Sequence, residues 1–358
     1  MELQMTKGKR ISDPSHLRDF YEKFGLPRLI ISLFLLGLFM LALIMKMDIT
    51  LLLSASIDRI GMNGLLVLAM LPTLVTGVGL NFGLPVGFVC GLVGGVISME
   101  YNLTGFTGLF TAMLCALPLA IISGYLYAAL LDRVRGQEMM VGTYVGFAVV
   151  AGMCIFWLTA PFKNPAMIWA IGGKGLRVTL TLYEHYSKVL NNFLVFDLFG
   201  VTIPTGLLLF FAFFCWLASL FFQTRTGLAM IATGANPMYA KSSGINTRKM
   251  RYLSIVISNV LAALGAVVYA QSYGFLQLYT APLYMAFPAV AAALIGGATL
   301  KKATVSHIVI GTILFQTLLT IALPVTQTVL QGTDISEIAR MIISNGMILY
   351  ALTRNERG

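Results

Sequence analysis

From Ile60 to Met99 the chain carries no charged side chain, although glycines and two prolines interrupt it repeatedly. A peptide that apolar belongs in lipid, where every backbone N–H and C=O must find its partner within the protein, so helices are the form open to it. The rest of the chain follows the same pattern. Hydrophobic residues make up 58% and charged ones 11%, against roughly 25% charged in a soluble domain. The mean hydropathy is +0.86. A hydrocarbon core of about 30 Å takes around 20 helical residues, and cutting at charged or turn-rich breaks gives about ten crossings. The expected spans are 29–46, 61–80, 84–99, 106–131, 139–160, 202–222, 252–274, 281–299, 304–324 and 336–353. The expectation is therefore an all-α membrane protein, a polytopic bundle of about ten transmembrane helices with both termini cytoplasmic. Residues 29–353 form a single transmembrane domain, between a lead-in at 1–28 and a tail at 354–358.

Lysine and arginine fix the orientation, because they are retained on the cytoplasmic side. With both ends inside, the cytoplasmic segments hold 17 of the 24 basic residues and half of the 14 acids, so that face carries the whole net charge of +10. Topology and attraction to anionic lipid account for the basic balance, and no nucleic-acid partner is called for. With a charged lead-in before the first apolar run, no cleavable signal peptide is expected. Asp13-Pro14, Gly25 and the apolar face of Leu17, Phe20, Tyr21 and Phe24 predict an amphipathic helix on the cytoplasmic leaflet. Cys90, Cys115, Cys154 and Cys215 lie in separate spans without CxxC spacing, which indicates neither disulfide nor zinc site. No metal site is expected, since His16, His185 and His307 fall on different parts of this topology.

One polar stretch, ATGANPMYAKSSGIN at 232–246, stands between long apolar runs. Gly234 with Lys241-Ser242 superficially suggests a phosphate-binding loop, but such a loop needs glycine directly before the lysine, and Ala240 stands there. The residues specify instead a short helix: Asn236 caps it, Pro237 occupies its first turn and Gly244 supplies a left-handed stop. Small residues at 240, 242 and 243 would allow another protein to approach. An ordinary solvated loop is the alternative.

The run RTGLAMIATGANPMYAKSSGIN (225–246) resembles the cytoplasmic signature of permease subunits of ABC importers for simple sugars, nucleosides and branched-chain amino acids, through Arg225, Thr226, Gly227, Ala229, Ala232, Gly234, Asn236, Pro237, Ala240, Gly244 and Ile245. TGVGLNFGLPVG (76–87), FGVTIP (199–204) and AAALIGGATL (291–300) are similar to further motifs of that family, so the likeness covers most of the chain. The resemblance implies a type II ABC importer-like fold in a bacterial cytoplasmic membrane. It implies a coupling segment at 225–251, with Gly234, Asn236, Pro237, Ala240, Lys241 and Gly244 meeting a separate ATP-binding subunit. This chain would bind no cofactor; ATP and Mg would sit on that partner. A second permease chain and an extracytoplasmic substrate-binding protein complete the implied assembly. Leu80-Asn81-Phe82 departs from the acidic D-L-S usual in sugar-type permeases. A sugar or nucleoside is the expected substrate, with branched-chain amino acids and an ion-coupled secondary transporter as alternatives.

Gly79, Gly83, Gly87, Gly91 and Gly95 recur every four residues, a small-residue ladder for close helix packing, with Pro85 expected to interrupt it. Asn81 within it is the first candidate for a translocation path, and Phe82, Tyr144, Asn259 and Gln271 are further candidates; each also has a purely structural reading. Acidic and basic residues are expected only near span ends, which argues against ion-coupled transport. No GxSxG or HExxH motif occurs, so the chain is expected not to be an enzyme. In the external loop, 161–201, Leu182, Tyr183, Tyr186, Val189, Leu190 and Phe193 at helical spacing predict an interfacial helix that helps dock a substrate-binding protein.

Overall fold

The computed structural model describes residues 26–169, 175–299, 302–329 and 345–346. The lead-in helix expected between Asp13-Pro14 and Gly25, the last span at 336–353 except residues 345–346, and the tail lie outside the described residues. The helices are α1 (Leu26–Ile44), α2 (Ile49–Leu68), α3 (Leu71–Val75), α4 (Leu84–Glu100), α5 (Gly105–Arg133), α6 (Glu138–Thr159), α7 (Val189–Asn192), α8 (Thr205–Gln223), α9 (Arg225–Ala235), α10 (Pro237–Ser242), α11 (Thr247–Tyr273), α12 (Ala281–Tyr284), α13 (Ala286–Ile295) and α14 (Val305–Val329). Among the described residues, six helical stretches are long and apolar enough to cross a membrane: Ile49–Val75, Gly105–Arg133, Glu138–Thr159, Thr205–Gln223, Thr247–Tyr273 and Val305–Thr328. Shorter apolar helices run over Arg28–Ile44, Leu84–Glu100 and Ala281–Ile295. The molecule is thus a multi-pass helical membrane protein.

α4 occupies the centre of the bundle, between α5 and α11, and nearly all its residues are buried. Its glycines make this possible. A Cβ added at Gly87 would press on the Asn259 carbonyl and the Ala262 methyl of α11, and one at Gly91 on the Ala263 carbonyl and Ala266. On the other side Gly94, outside the four-residue ladder, lies against the Ala112 carbonyl of α5. Gly83 adjoins the Tyr127 ring and Gly95 the Tyr186 hydroxyl. The ladder spirals because four residues overshoot a helical turn. Pro85 does not break a helix; it stands in the first turn of α4, and the chain before it is non-helical.

The second expected span began at 61, whereas α2 begins at Ile49, capped by the Asp48 carboxylate at the Thr50 and Leu51 amides. The Thr50 hydroxyl and the Leu51 amide hold that carboxyl below the usual range. Asp58 and Arg59 therefore lie inside a helix, correcting the expectation that charges stay near span ends. Asp58 is tied there by the Asn191 amide at 3.1 Å.

The bundle is not purely helical. Strand β1 (Thr179–Thr181) pairs antiparallel with β4 (Phe275–Gln277), Leu180 facing Leu276, and β2 (Val195–Leu198) forms a hairpin with β3 (Val201–Pro204). FGVTIP is thus largely a strand, and α8 starts only at Thr205. The hairpin lies along the first turns of α2, where the Thr202 amide donates to Ser54 Oγ at 2.9 Å. The interfacial helix expected over 182–193 is not formed: Lys188 takes a left-handed φ of 51° and only the four residues of α7 are helical. Leu182, Tyr186 and Leu190 are buried beneath this cap, while Tyr183 and Phe193 face outward.

Gly87→Val is expected to destabilise the protein by about 1–3 kcal/mol, because the opposing Asn259 carbonyl cannot yield as a side-chain tip would. Gly152→Val on the open face of α6 should be close to neutral. Thermal unfolding of the purified chain in detergent, followed by cysteine reactivity, reads the difference.

Candidate functional site

The stretch at 232–246 has the local grammar of its sequence. Thr224 Oγ1 accepts from the Gly227 amide and starts α9. Asn236 then turns the chain in an extended conformation, and its Oδ1 accepts from the Met238 and Tyr239 amides at 3.1 and 3.0 Å to start α10. Pro237 costs no hydrogen bond in a first turn. Gly244 ends the unit at φ 81°, a conformation that a side chain would strain. Asn246 then caps α11 through the Lys249 amide.

Which face of α10 is presented was not as expected. Ala240 is fully buried, so it packs inward, away from the exposed face of α10. The outward face consists of Met238, at 85% exposure, and Tyr239, at 68%, with Lys241, Ser242 and Ser243 beside them. Periodicity over six residues could not reveal this, because the inward side of so short a helix depends on what lies behind it.

Gly234 joins this unit to the interior. Its Cα lies where a Cβ on Gly77 would come within 3.1 Å, and a Cβ of its own would collide with the Val75 carbonyl. Gly77 has a φ of 73°. Helix α9 therefore touches, backbone to backbone, the point at which α3 ends and the turn at 76–83 begins. The Thr73 carbonyl accepts from the Val78 and Gly79 amides at 3.0 and 3.3 Å and closes that turn.

Asn81 lies at the far side of the turn, 4% exposed. Its Nδ2 donates to Ser258 Oγ of α11 at 2.8 Å, and its Oδ1 accepts from the Tyr127 hydroxyl of α5 and the Gly83 amide, both at 3.1 Å. Tyr127 stands between Gly83 and Gly142 of α6. Phe82 packs on Phe287, with ring centroids 5.7 Å apart. Asn259, next to Ser258, is buried; its Nδ2 donates to Ser123 Oγ at 3.3 Å, and its Oδ1 has no hydrogen-bond partner among the described residues. Asn81, Phe82 and Asn259 thus share one region. The other two path candidates do not join them. Tyr144 is 65% exposed on α6. Gln271 is at the opposite end of α11, where Asn191 Oδ1 and the Leu190 amide engage its two side-chain ends. Sequence reasoning missed Ser258 as the partner of Asn81, although the adjacent polar pair Ser258-Asn259 amid the apolar residues at the middle of α11 was a signal.

Three ion pairs brace the same end of the bundle. Arg251 holds Glu138 at 2.5 Å, and Asp132 is shared by Arg135 and Arg248 at 2.5 and 2.7 Å. Among the described residues no group of three or more His, Cys, Asp or Glu could hold a metal ion. All four cysteines are free.

The chain belongs to the family described as "Branched-chain amino acid transport system / permease component", whose profile matches residues 26–352. It is 30% identical over 259 residues to the Autoinducer 2 import system permease protein LsrC of Yersinia enterocolitica, covering 63% of this chain and 69% of that one. With the LsrC protein of Escherichia coli O9:H4 the identity is 27% over 213 residues, 57% of this chain and 58% of the relative. With the Nucleoside ABC transporter permease protein NupB of Lactococcus lactis it is 26% over 192 residues, 51% of each. The chain thus spans little more than half the length of the last two. No solved structure is significantly similar to it.

Asn236→Ala is expected to weaken α10 by about 1 kcal/mol. Trypsin should then cut after Lys241 about fivefold faster in the purified protein, by the same free energy.

Proposed function

We propose that this chain is the membrane permease subunit of an ATP-driven importer, in which α10 receives the stroke of a separate ATP-binding subunit. The observation that carries this reading is the exposed Met238 and Tyr239 pair on a capped helix that directly follows α9, whose Gly234 abuts the turn holding Asn81. Two large apolar side chains beside Lys241 are what a partner's groove would receive. A displacement of α9 and α10 cannot be absorbed at Gly234 and Gly77, where backbone meets backbone, so it passes to the turn. There Asn81 would release or keep Ser258 and Tyr127, and the region of Phe82 and Asn259 would serve as the inner part of the path. Coupling at Gly234, Asn236, Pro237, Lys241 and Gly244 and the path at Asn81, Phe82 and Asn259 are our assignment. Gln271 serves instead to tie the external cap to α11.

In this reading ATP and Mg stay on the partner and the chain itself catalyses nothing. The positive-inside rule supports both termini and the α9–α10 unit being cytoplasmic, in about ten crossings of a bacterial cytoplasmic membrane. A second permease chain, identical or related, completes the path, and a substrate-binding protein delivers the solute to the cap built by β1, β4 and the β2–β3 hairpin. The names of the relatives, autoinducer 2 and nucleoside permeases, favour a small neutral polar solute such as a sugar or nucleoside. Asp58 does not speak for ion coupling, because Asn191 engages it as part of a tie between α2 and the cap.

Met238→Asp with Tyr239→Asp is expected to abolish co-purification of the ATP-binding subunit while leaving the permease folded, as judged by its thermal midpoint. Undiminished co-purification would show that α10 is not the docking element.

A further inference from the structure

Two cavities on the outside of the bundle meet and differ in kind. The first, about 650 Å³, runs between the end of α2, α3, α5, α8 and α11; Leu68, Phe214, Leu217, Val260 and Leu264 are among its walls, and every lining residue but Thr224 is apolar. The second, about 630 Å³, shares Ile121 and Val256 with the first and opens at the start of α11. Its polar lining is Asn246, Arg248, Lys249, Tyr125 and Tyr252.

The charge at this mouth is not internally balanced. No carboxylate is among the lining residues, and Asp132, which pairs with Arg248, is already shared with Arg135. The Arg248 guanidinium is oriented by Tyr252, lying 5.5 Å from its ring centroid and donating to its hydroxyl at 3.4 Å, while 66% of the side chain remains exposed. Lys249 is exposed and has no ion-pair partner among the described residues. An occupant must therefore be apolar along one length and anionic at one end.

We infer that this composite groove binds an anionic phospholipid, an acyl chain lying between α5, α8 and α11 and the phosphate headgroup against Arg248 and Lys249. The groove opens at the same end as α10, which is the cytoplasmic leaflet in the orientation proposed above, where anionic lipid is enriched and basic groups attract it. Tyr125 and Tyr252 stand where amphipathic rings sit in a bilayer interface. The lipid would fill the face between α8 and α11 next to the base of α9, and so steady the coupling segment.

The test is native mass spectrometry of the purified full-length protein, titrated with phosphatidylglycerol, phosphatidylcholine or inorganic phosphate. Phosphatidylglycerol should be retained about thirtyfold more tightly than phosphatidylcholine, as two basic groups near the headgroup at about 1 kcal/mol each require. Arg248→Gln with Lys249→Gln should remove that preference. Leu217→Trp, on the open wall of the groove, should weaken both lipids while the thermal midpoint stays normal. Equal binding of the two lipids by the native protein, or a preference that survives both variants, overturns the proposal. Inorganic phosphate displacing the lipid would show an anion site without an acyl groove, and no retained lipid at any concentration would point to a second copy of the chain filling the face; either result overturns it as well.

Discussion

The close approach of α4 to α11 and α5 is the constraint on which the rest depends. In a bilayer, lipid tails are as apolar as leucine, so helices gain little from hiding apolar surface and must gain from contact itself. Gly87 and Gly91 let the α11 backbone come to van der Waals distance, and Gly94 does the same for α5. α4 is thereby fixed as a rod buried on every side, and its start at Leu84 becomes a rigid stop against which the preceding turn must close. The polar turn at 76–83 is tolerable at that depth because protein surrounds it: Thr73 accepts from its Val78 and Gly79 amides, and Ser258 and Tyr127 engage the Asn81 side chain.

From that stop outward the structure forms a continuous path of stiff contacts. α10 is capped at both ends, α9 is short, and Gly234 meets Val75 and Gly77 without an intervening side chain. A side-chain contact can slide between rotamers; a backbone contact moves the neighbour or breaks. The ion pairs from Glu138 and Asp132 to the start of α11 hold the adjoining helices, so that displacement has few other outlets.

Features encoded by a few adjacent residues were legible in the sequence. Asn236-Pro237 and Gly244 foretold α10 almost to the residue, and the apolar runs foretold most helices. What depended on distant partners was not. Asp58 and Arg59 looked like a span boundary because their charge suggests water, yet α2 continues through them, Asp58 engaged by Asn191 from far along the chain. The 182–193 segment has helical spacing of apolar residues, but Lys188 turns left-handed and the preceding strand pairs with β4 beyond α11. Ala240 looked like a surface residue among small neighbours and is buried. Of the polar candidates, composition could say that Asn81, Asn259 and Gln271 were unusual in apolar helices, but only the fold separates Gln271 at the cap from the pair near the turn.

The most direct test of this account is the number of solute molecules imported per ATP hydrolysed by the assembled transporter in proteoliposomes carrying Gly234→Ala. A methyl at that position meets the Val75 carbonyl and loosens the contact between α9 and the turn. The account predicts that assembly and ATP hydrolysis persist while the import ratio falls several-fold. An unchanged ratio in the intact assembly would contradict it and place coupling elsewhere than the Gly234–Gly77 contact.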